Sequence, residues 1–216
     1  MDLQSVEHKI ASLKVKSIFS TKEGIRVTSI FEEPYVLKHF LPGKKHKNEW
    51  VVEHNTISYL SKLNIFVPKS YGYRVDEFGA FLYKEYVPGQ LIESYKKDLL
   101  EQLAQMFVDF HQNNVITRDA HNENVVLTDN NKLVFIDFGK AAIFNKKSSR
   151  YWFSLLREHF FIKSKIIKDK EDYITFLQFY LDKLPVKKKL VLKSFIISGN
   201  NILQLRDKLR GNYRHK

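Results

Sequence analysis

The sequence predicts an α+β chain of two lobes, β-rich over residues 1–88 and helical over residues 89–216. Three observations predict it. Residues 15–40 hold three short runs rich in β-branched and aromatic residues, Val15 to Phe19, Ile25 to Phe31 and Tyr35 to Phe40. Turn signals at Lys22-Glu-Gly24 and Glu32-Glu-Pro34 separate them, as expected of strands. Beyond Pro88-Gly89 the apolar residues recur mostly at helical spacing. Within that half, two apolar runs, Val125-Val126-Leu127 and Leu133 to Ile136, flank the polar turn Thr128 to Lys132, which reads as a β-hairpin.

Residues 1–16 alternate loosely and predict no element. The third strand, Tyr35-Val36-Leu37-Lys38, carries a lysine after an apolar run. Residues 47–63 predict a helix, with Trp50, His54, Ile57, Leu60 and Leu63 at helical spacing and Glu49 and Glu53 sharing a face four residues apart. Phe66-Val67-Pro68 closes it. An apolar strand, Phe81 to Val87, then breaks at Pro88-Gly89, where a hinge between lobes is expected. Residues 96–113 predict a helix with Leu99, Leu100, Leu103, Met106, Phe107 and Phe110 on its apolar side. After Gly139, helices are expected over Arg150 to Ile167, Tyr173 to Leu184, Val186 to Ile197 and Ile202 to Arg210. Their aromatic residues read as core.

A chain of 216 residues with 44% hydrophobic residues has room for two small lobes with packed cores. Cysteine is absent, which excludes disulfides and thiolate metal sites. The first residues lack the apolar run of a secretory leader and no stretch is apolar enough to span a membrane, so a soluble intracellular protein is expected. The net charge of +12 is unevenly placed. Residues 1–139 hold 17 Lys+Arg and 18 Asp+Glu, whereas residues 140–216 hold 19 and 6. Such asymmetry points to an anionic partner or to a solvated basic surface.

The chemistry concentrates between His111 and Gly139. Asp119 is followed five positions later by Asn124, and the hairpin ends in Asp137-Phe138-Gly139. The hairpin brings Asn124 close to Asp137, and both offer oxygen to a hard cation such as Mg²⁺. Asp119, on the loop before, is placed to take a proton from an attacking hydroxyl. This is the arrangement of a phosphoryl-transfer site, in which positioning and metal charge do most of the catalysis.

Asp-x4-Asn, a hairpin and Asp-Phe-Gly in that order resemble the catalytic and metal-binding loops of protein-kinase-like enzymes, with Thr117 where a His usually precedes Arg118-Asp119. The resemblance covers nearly the whole chain and implies a minimal bilobal protein-kinase-like fold. It implies ATP as cofactor with Mg²⁺ on Asn124 and Asp137, Lys38 on the nucleotide phosphates, and a helix carboxylate, Glu53 or Glu49, steadying Lys38. It also implies that backbone groups from Glu85 to Val87 meet the adenine edge. Asp119 would be the catalytic base, and Arg118 and His121 would act near the transferring group or support the loop. Only Gly24 stands in the first hairpin, so a full glycine-rich phosphate loop is missing.

Within that superfamily the chain most resembles the small lipopolysaccharide core kinases, which phosphorylate heptose or 3-deoxy-octulosonic acid (Kdo). Tyr35-Val-Leu-Lys-His-Phe40 followed by Pro42-Gly43 and lysines is similar to their strand and basic turn. Glu53, Ile57, Leu60, Ile65 and Pro68 match their helix pattern and favour Glu53 as partner of Lys38, with Asn64 where Gly is usual. His121 stands where protein kinases carry Lys, and no Ala-Pro-Glu activation segment follows, which speaks against a large protein substrate. The expected partner is an anionic glycolipid, the lipopolysaccharide core. The basic C-terminal lobe would hold a cytoplasmic enzyme against the inner membrane, each Lys or Arg contributing about 1 kcal/mol near an anionic surface. The alternatives are the small atypical kinase/ATPase of the tRNA threonylcarbamoyladenosine-modification complex, a kinase-fold binding scaffold, or a nucleic-acid-binding protein using the basic lobe alone.

Overall fold

The computed structural model describes residues 2–21, 24–43, 48–145 and 148–184, together with Ser198. The helices expected over Val186 to Ile197 and Ile202 to Arg210 lie outside the described residues. The chain forms two compact units, one of residues 1–91 with 124–142, the other of residues 92–123 with the chain from Ile143 on.

The first unit is built on a five-stranded antiparallel sheet. In chain order its strands are β1 (Val15–Ser20), β2 (Arg26–Phe31), β3 (Tyr35–Phe40), β4 (Ser70–Asp76) and β5 (Gly79–Glu85). In space the order is β1-β2-β3-β5-β4. The three expected N-terminal strands therefore form, and β3 and β5 are interior strands. Gly79 tightens the β4–β5 turn at φ 127°, and a Cβ there would meet the Phe40 carbonyl oxygen at 2.2 Å, so only glycine fits.

Two helices flank this sheet. Helix α1 (Leu3–Ala11) begins at Asp2, whose carboxylate accepts the Ser5 N–H at 2.8 Å. The loose alternation of residues 1–16 hides it, because only Val6 and Ile10 are buried, beside Phe31, Tyr35 and Tyr83. Helix α2 (Glu49–Lys62) buries Trp50, Glu53, Thr56, Ile57 and Leu60 along one stripe. It ends at Asn64, whose φ of 57° is the left-handed geometry for which glycine is usual.

A smaller sheet completes the unit, with the short strand β6 (Gln90–Leu91) beside β8 (Val125–Leu127), itself paired with β9 (Leu133–Phe135). The hairpin pairs Val125 with Phe135 and Leu127 with Leu133. Thr128 Oγ1 closes its turn by accepting the Lys132 N–H at 3.2 Å.

The grouping differs from the lobe division expected at residue 88. It falls at Leu91, and residues 124–142, expected in the second lobe, cluster with the first. The physical reason is that β6 pairs with β8, and Gly89 approaches Leu127 so closely that a Cβ would lie 2.4 Å from its carbonyl oxygen.

The second unit is helical. Its elements are α3 (Lys97–Gln112), the extended pair β7 (Val115–Ile116), α4 (Ser149–Phe161) continued by a π-helical turn over Ile162–Ile166, and α5 (Lys170–Asp182). Phe107, Phe110, Tyr151, Leu155, Phe176 and Tyr180 are fully buried and form its core. Asp169 caps α5, accepting the N–H groups of Glu171 and Asp172 at 2.8 and 2.9 Å. No helix among the described residues is long and apolar enough to cross a membrane.

Candidate active site

The first unit gathers three cations and three carboxylates. Lys38 and Lys84 belong to neighbouring strands, with Lys38 opposite Leu82 and Val36 opposite Lys84. The two-residue offset turns both side chains to the same face of the sheet. There Glu53, fully buried on the α2 stripe, receives both. Lys38 Nζ lies 2.9 and 2.7 Å from Glu53 Oε1 and Oε2, and Lys84 Nζ lies 2.7 Å from Oε1. The structure thus puts Glu53, not Glu49, on Lys38. Lys84 also donates to the carbonyl of Ile136.

Asp137 comes into the same cluster. Its Oδ2 lies 3.1 Å from Lys38 Nζ and 3.4 Å from the Arg26 guanidinium, and its Oδ1 accepts the Gly139 N–H at 3.1 Å. Burial pushes this carboxyl up, but Lys38, Arg26, Lys84 and the Gly139 N–H outweigh it and hold it well below the usual carboxylate range. Glu49 stands 3.9 Å from Arg26, and burial raises its carboxyl against the pull of that arginine. Burial likewise draws the Lys84 ammonium down, against the raising effect of Glu53.

Asn124 ends a short 3₁₀ turn (Asn122–Asn124), and its carbonyl accepts the Ile136 N–H at 2.9 Å. The hairpin ladder therefore sets Asn124 one register step from Asp137. An ionised carboxylate and an amide on adjoining strand ends are hard oxygen donors of the kind Mg²⁺ takes.

The backbone meant for a base is partly engaged. The Glu85 N–H donates to Lys69 O at 2.8 Å and the Tyr86 N–H to Pro34 O at 2.9 Å. Glu85 itself accepts the Lys69 N–H at 2.9 Å. A base edge meeting this stretch is left with carbonyl oxygens and the Val87 N–H. In the β1–β2 hairpin, Gly24 takes φ 60°, and the N–H groups of Gly24, Ile25 and Arg26 turn inward onto Thr21. The Arg26 side chain, assigned no part from the sequence, stands 3.4 Å from Asp137 Oδ2, just beyond Lys38 at 3.1 Å.

The second unit holds the loop with Arg118, Asp119 and His121. His121 Nε2 lies 3.5 Å from Asp119 Oδ1, and its ring faces Phe161 at 6.1 Å. Arg118 takes φ 60°, a strained value for a non-glycine residue, and its guanidinium stacks over Phe144 at 5.5 Å. Burial, with Arg150 and Arg157 nearby, lowers the guanidinium's proton affinity, partly offset by Glu158.

Glu158 fixes this loop from α4. It accepts the Arg118 N–H at 2.9 Å and the Thr117 hydroxyl, and meets His111 Nε2 at 2.5 Å. Tyr180 Oη is 2.8 Å from His111 Nδ1, and Tyr151 Oη donates to the His111 carbonyl at 3.0 Å. Thr117, in the place of the usual motif His, is fully buried and donates its hydroxyl to Glu158.

Four residues escaped the sequence reading: Arg26, Lys84, His111 and Glu158. The last three carry a readable signal, a charged or titratable side chain on the apolar face of its own element.

Comparison with known proteins agrees with the architecture. No family model matches the chain. Two curated relatives from Dictyostelium discoideum match part of it. The dual specificity protein kinase zakA is 29% identical over 107 residues, 43% of this chain, and zak2 is 25% identical over 101 residues, 44% of this chain. The chain spans only 14% and 16% of those proteins. Among solved structures, the GDP and kanamycin complex of APH(2")-IIia aligns with a TM-score of 0.56 at 10% identity, covering 98% of this chain and 93% of that one. Monomeric WbdD aligns with a TM-score of 0.58 at 16% identity, covering 84% and 48%. Another structure, of the bifunctional kinase-methyltransferase WbdD, aligns with a TM-score of 0.53. The fold is protein-kinase-like, α+β, with a β-sheet unit and a helical unit.

Proposed function

We propose that this protein is an ATP-dependent phosphotransferase acting on a sugar hydroxyl, and that its acceptor is the inner core of lipopolysaccharide, at heptose or Kdo. The observation that carries the reading is the buried Lys38–Glu53 pair with Asp137 3.1 Å from the same ammonium. A buried lysine held between two carboxylates is pre-aimed at anionic phosphate oxygens.

In this reading Lys38 binds the α- and β-phosphates while Glu53 keeps its ammonium in place. Arg26 adds a second positive charge beside Asp137. Asn124 and Asp137 would hold Mg²⁺, whose charge offsets that of the phosphates. Asp137, kept ionised by its neighbours, fits that part. Asp119 orients the acceptor hydroxyl and takes its proton as the oxygen attacks the γ-phosphorus in line, while the bond from that phosphorus to the β–γ bridging oxygen breaks and ADP leaves. Arg118 and His121 support the loop electrostatically.

Support for a sugar acceptor is of two kinds. Only nine residues, 140–148, separate Gly139 from the start of α4, too few for the long segment on which protein substrates dock. A structural neighbour that aligns over 98% of this chain and 93% of its own was solved in complex with GDP and kanamycin. Support for an anionic glycolipid at a membrane surface is the charge of residues 140–216, 19 Lys+Arg against 6 Asp+Glu.

The test is transfer of label from γ-labelled ATP with Mg²⁺ to lipopolysaccharide precursors, with Asp137→Ala as control. Label in the lipid, absent with the control, is the expected result. ATP hydrolysis without lipid labelling would retain the phosphotransferase and reject the acceptor. Nucleotide that fails to bind would reject both.

A further inference from the structure

Lys84 has no part in the scheme above, yet it is among the most completely buried charges of the first unit. A lysine is almost never fully buried unless its charge is met. Its ammonium reaches the helix carboxylate Glu53 Oε1 at 2.7 Å and the carbonyl of Ile136, the residue before Asp137. One side chain on β5 thereby joins α2 to the segment that carries the metal-binding carboxylate.

The consequence concerns Glu53. With a single lysine partner, drawing that lysine toward phosphate would leave a buried carboxylate short of charge, and α2 would be free to swing outward. Glu53 Oε1 instead accepts from two ammoniums at once, 2.9 Å from Lys38 and 2.7 Å from Lys84. The partner that nucleotide engages and the partner that anchors the helix are different residues.

We propose that Lys84 is a positioning residue that pins Glu53, and with it α2, in the Lys38-paired position whether or not nucleotide is bound. The first unit is then permanently assembled, with no helix movement available as an on–off step. Lys38 is left to exchange between Asp137 and phosphate without disturbing the helix. The consequence for turnover rests on the phosphotransferase reading; the pinning itself does not.

The experiment is amide hydrogen exchange across α2, read by mass spectrometry on the full chain with and without Mg·ATP. In the wild type, α2 exchange is expected to be equally slow in both conditions. Lys84→Met is expected to speed α2 exchange by about tenfold or more without nucleotide, leaving α3 unchanged. Equal α2 exchange in Lys84→Met and wild type would overturn the proposal.

Lys38→Met provides the converse and serves if Lys84→Met does not fold. Its α2 is expected to stay as protected as in the wild type, because Lys84 remains. Opening of α2 in Lys38→Met would show that Lys84 does not pin it. In turnover, Lys84→Met is expected to lower kcat by about tenfold with KM for ATP within about threefold. A raised KM with kcat kept would assign Lys84 to nucleotide contact and overturn its positioning role. Wild type that neither binds nor turns over Mg·ATP would sink the phosphotransferase reading while the nucleotide-free exchange data still decide the pin.

Discussion

Two carboxylates, Glu53 in the first unit and Glu158 in the second, have nearly the same burial and opposite surroundings. Each sits on the apolar stripe of a helix, 0% and 1% exposed. Glu53 is met by two ammoniums, with Asp137 balancing the second positive charge. Glu158 is met by a hydroxyl, a backbone N–H and an imidazole. The difference follows from what each holds. An ammonium can rotate between partners, so a carboxylate held by lysines suits a site where one lysine must turn to a ligand. A backbone N–H cannot move without its chain, so a carboxylate that accepts it freezes a conformation. Here that conformation is the unfavourable φ of 60° at Arg118, next to Asp119.

The largest effects expected are on chemistry. Asp119→Asn keeps the shape of the loop that Glu158 freezes but removes its base. A fall of about 10²–10⁴-fold in phosphotransfer is expected, with an unchanged melting temperature. Near-full activity would detach the frozen loop from catalysis. Asp137→Asn is expected to abolish transfer from labelled ATP, because the site proposed for Mg²⁺ then loses its ionised ligand.

Stability separates the two carboxylates next. Glu53→Gln leaves two buried lysines facing a neutral amide. Urea unfolding is expected to show a loss of about 3–5 kcal/mol, the range for breaking a buried ion pair. Glu158→Gln keeps an acceptor oxygen for its donors and is expected to cost about 1–3 kcal/mol. Equal losses would erase the distinction between cation-held and donor-held carboxylates.

The second unit has a titration of its own. His159, beside Glu158 in sequence, is fully buried, with neither ring nitrogen hydrogen-bonded among the described residues. Burial, aided by His111, holds its pKa well below the ordinary value, so the folded chain carries it neutral. The unfolded chain protonates it near pH 6.5. Its contribution is therefore intact above about pH 6.5 and is lost as pH falls, by roughly 1.4 kcal/mol for each unit below that value. His159→Leu is expected to flatten urea stability between about pH 6.5 and 5. An unchanged slope would place the acid sensitivity elsewhere.

Much of this arrangement was legible in the residues. Strands 15–40, the helix from Glu49, the hairpin and the helix over residues 96–113 follow period and turn chemistry, which are local. Helix α1 was not legible, since two buried residues in nine make no period. The choice of Glu53 was readable only through the family's helix pattern, because Glu49 and Glu53, four residues apart, share one face of the helix and period alone does not separate them. Lys84 and Glu158 were visible as charges on apolar faces. Their partners were not, because Ile136 is 52 residues from Lys84 and Thr117 is 41 from Glu158, and only the fold brings them together. Arg26 was the least legible, a strand residue whose role depends on a carboxylate 111 positions on.

The smallest expected effect probes how finely the Glu158 anchor is tuned. Thr117→Val keeps the shape of a fully buried side chain and deletes one donor of the three that meet Glu158. The lost hydrogen bond is worth about 1 kcal/mol, and Glu158 retains the Arg118 N–H and His111. A drop of that size in urea stability with phosphotransfer nearly unchanged is expected, because the backbone bond at Arg118 is the one that sets the loop. If turnover falls much further than stability, the Thr117 hydroxyl shares in setting the Asp119 geometry. The donor-held carboxylate would then act as a cooperative unit rather than through the backbone bond alone.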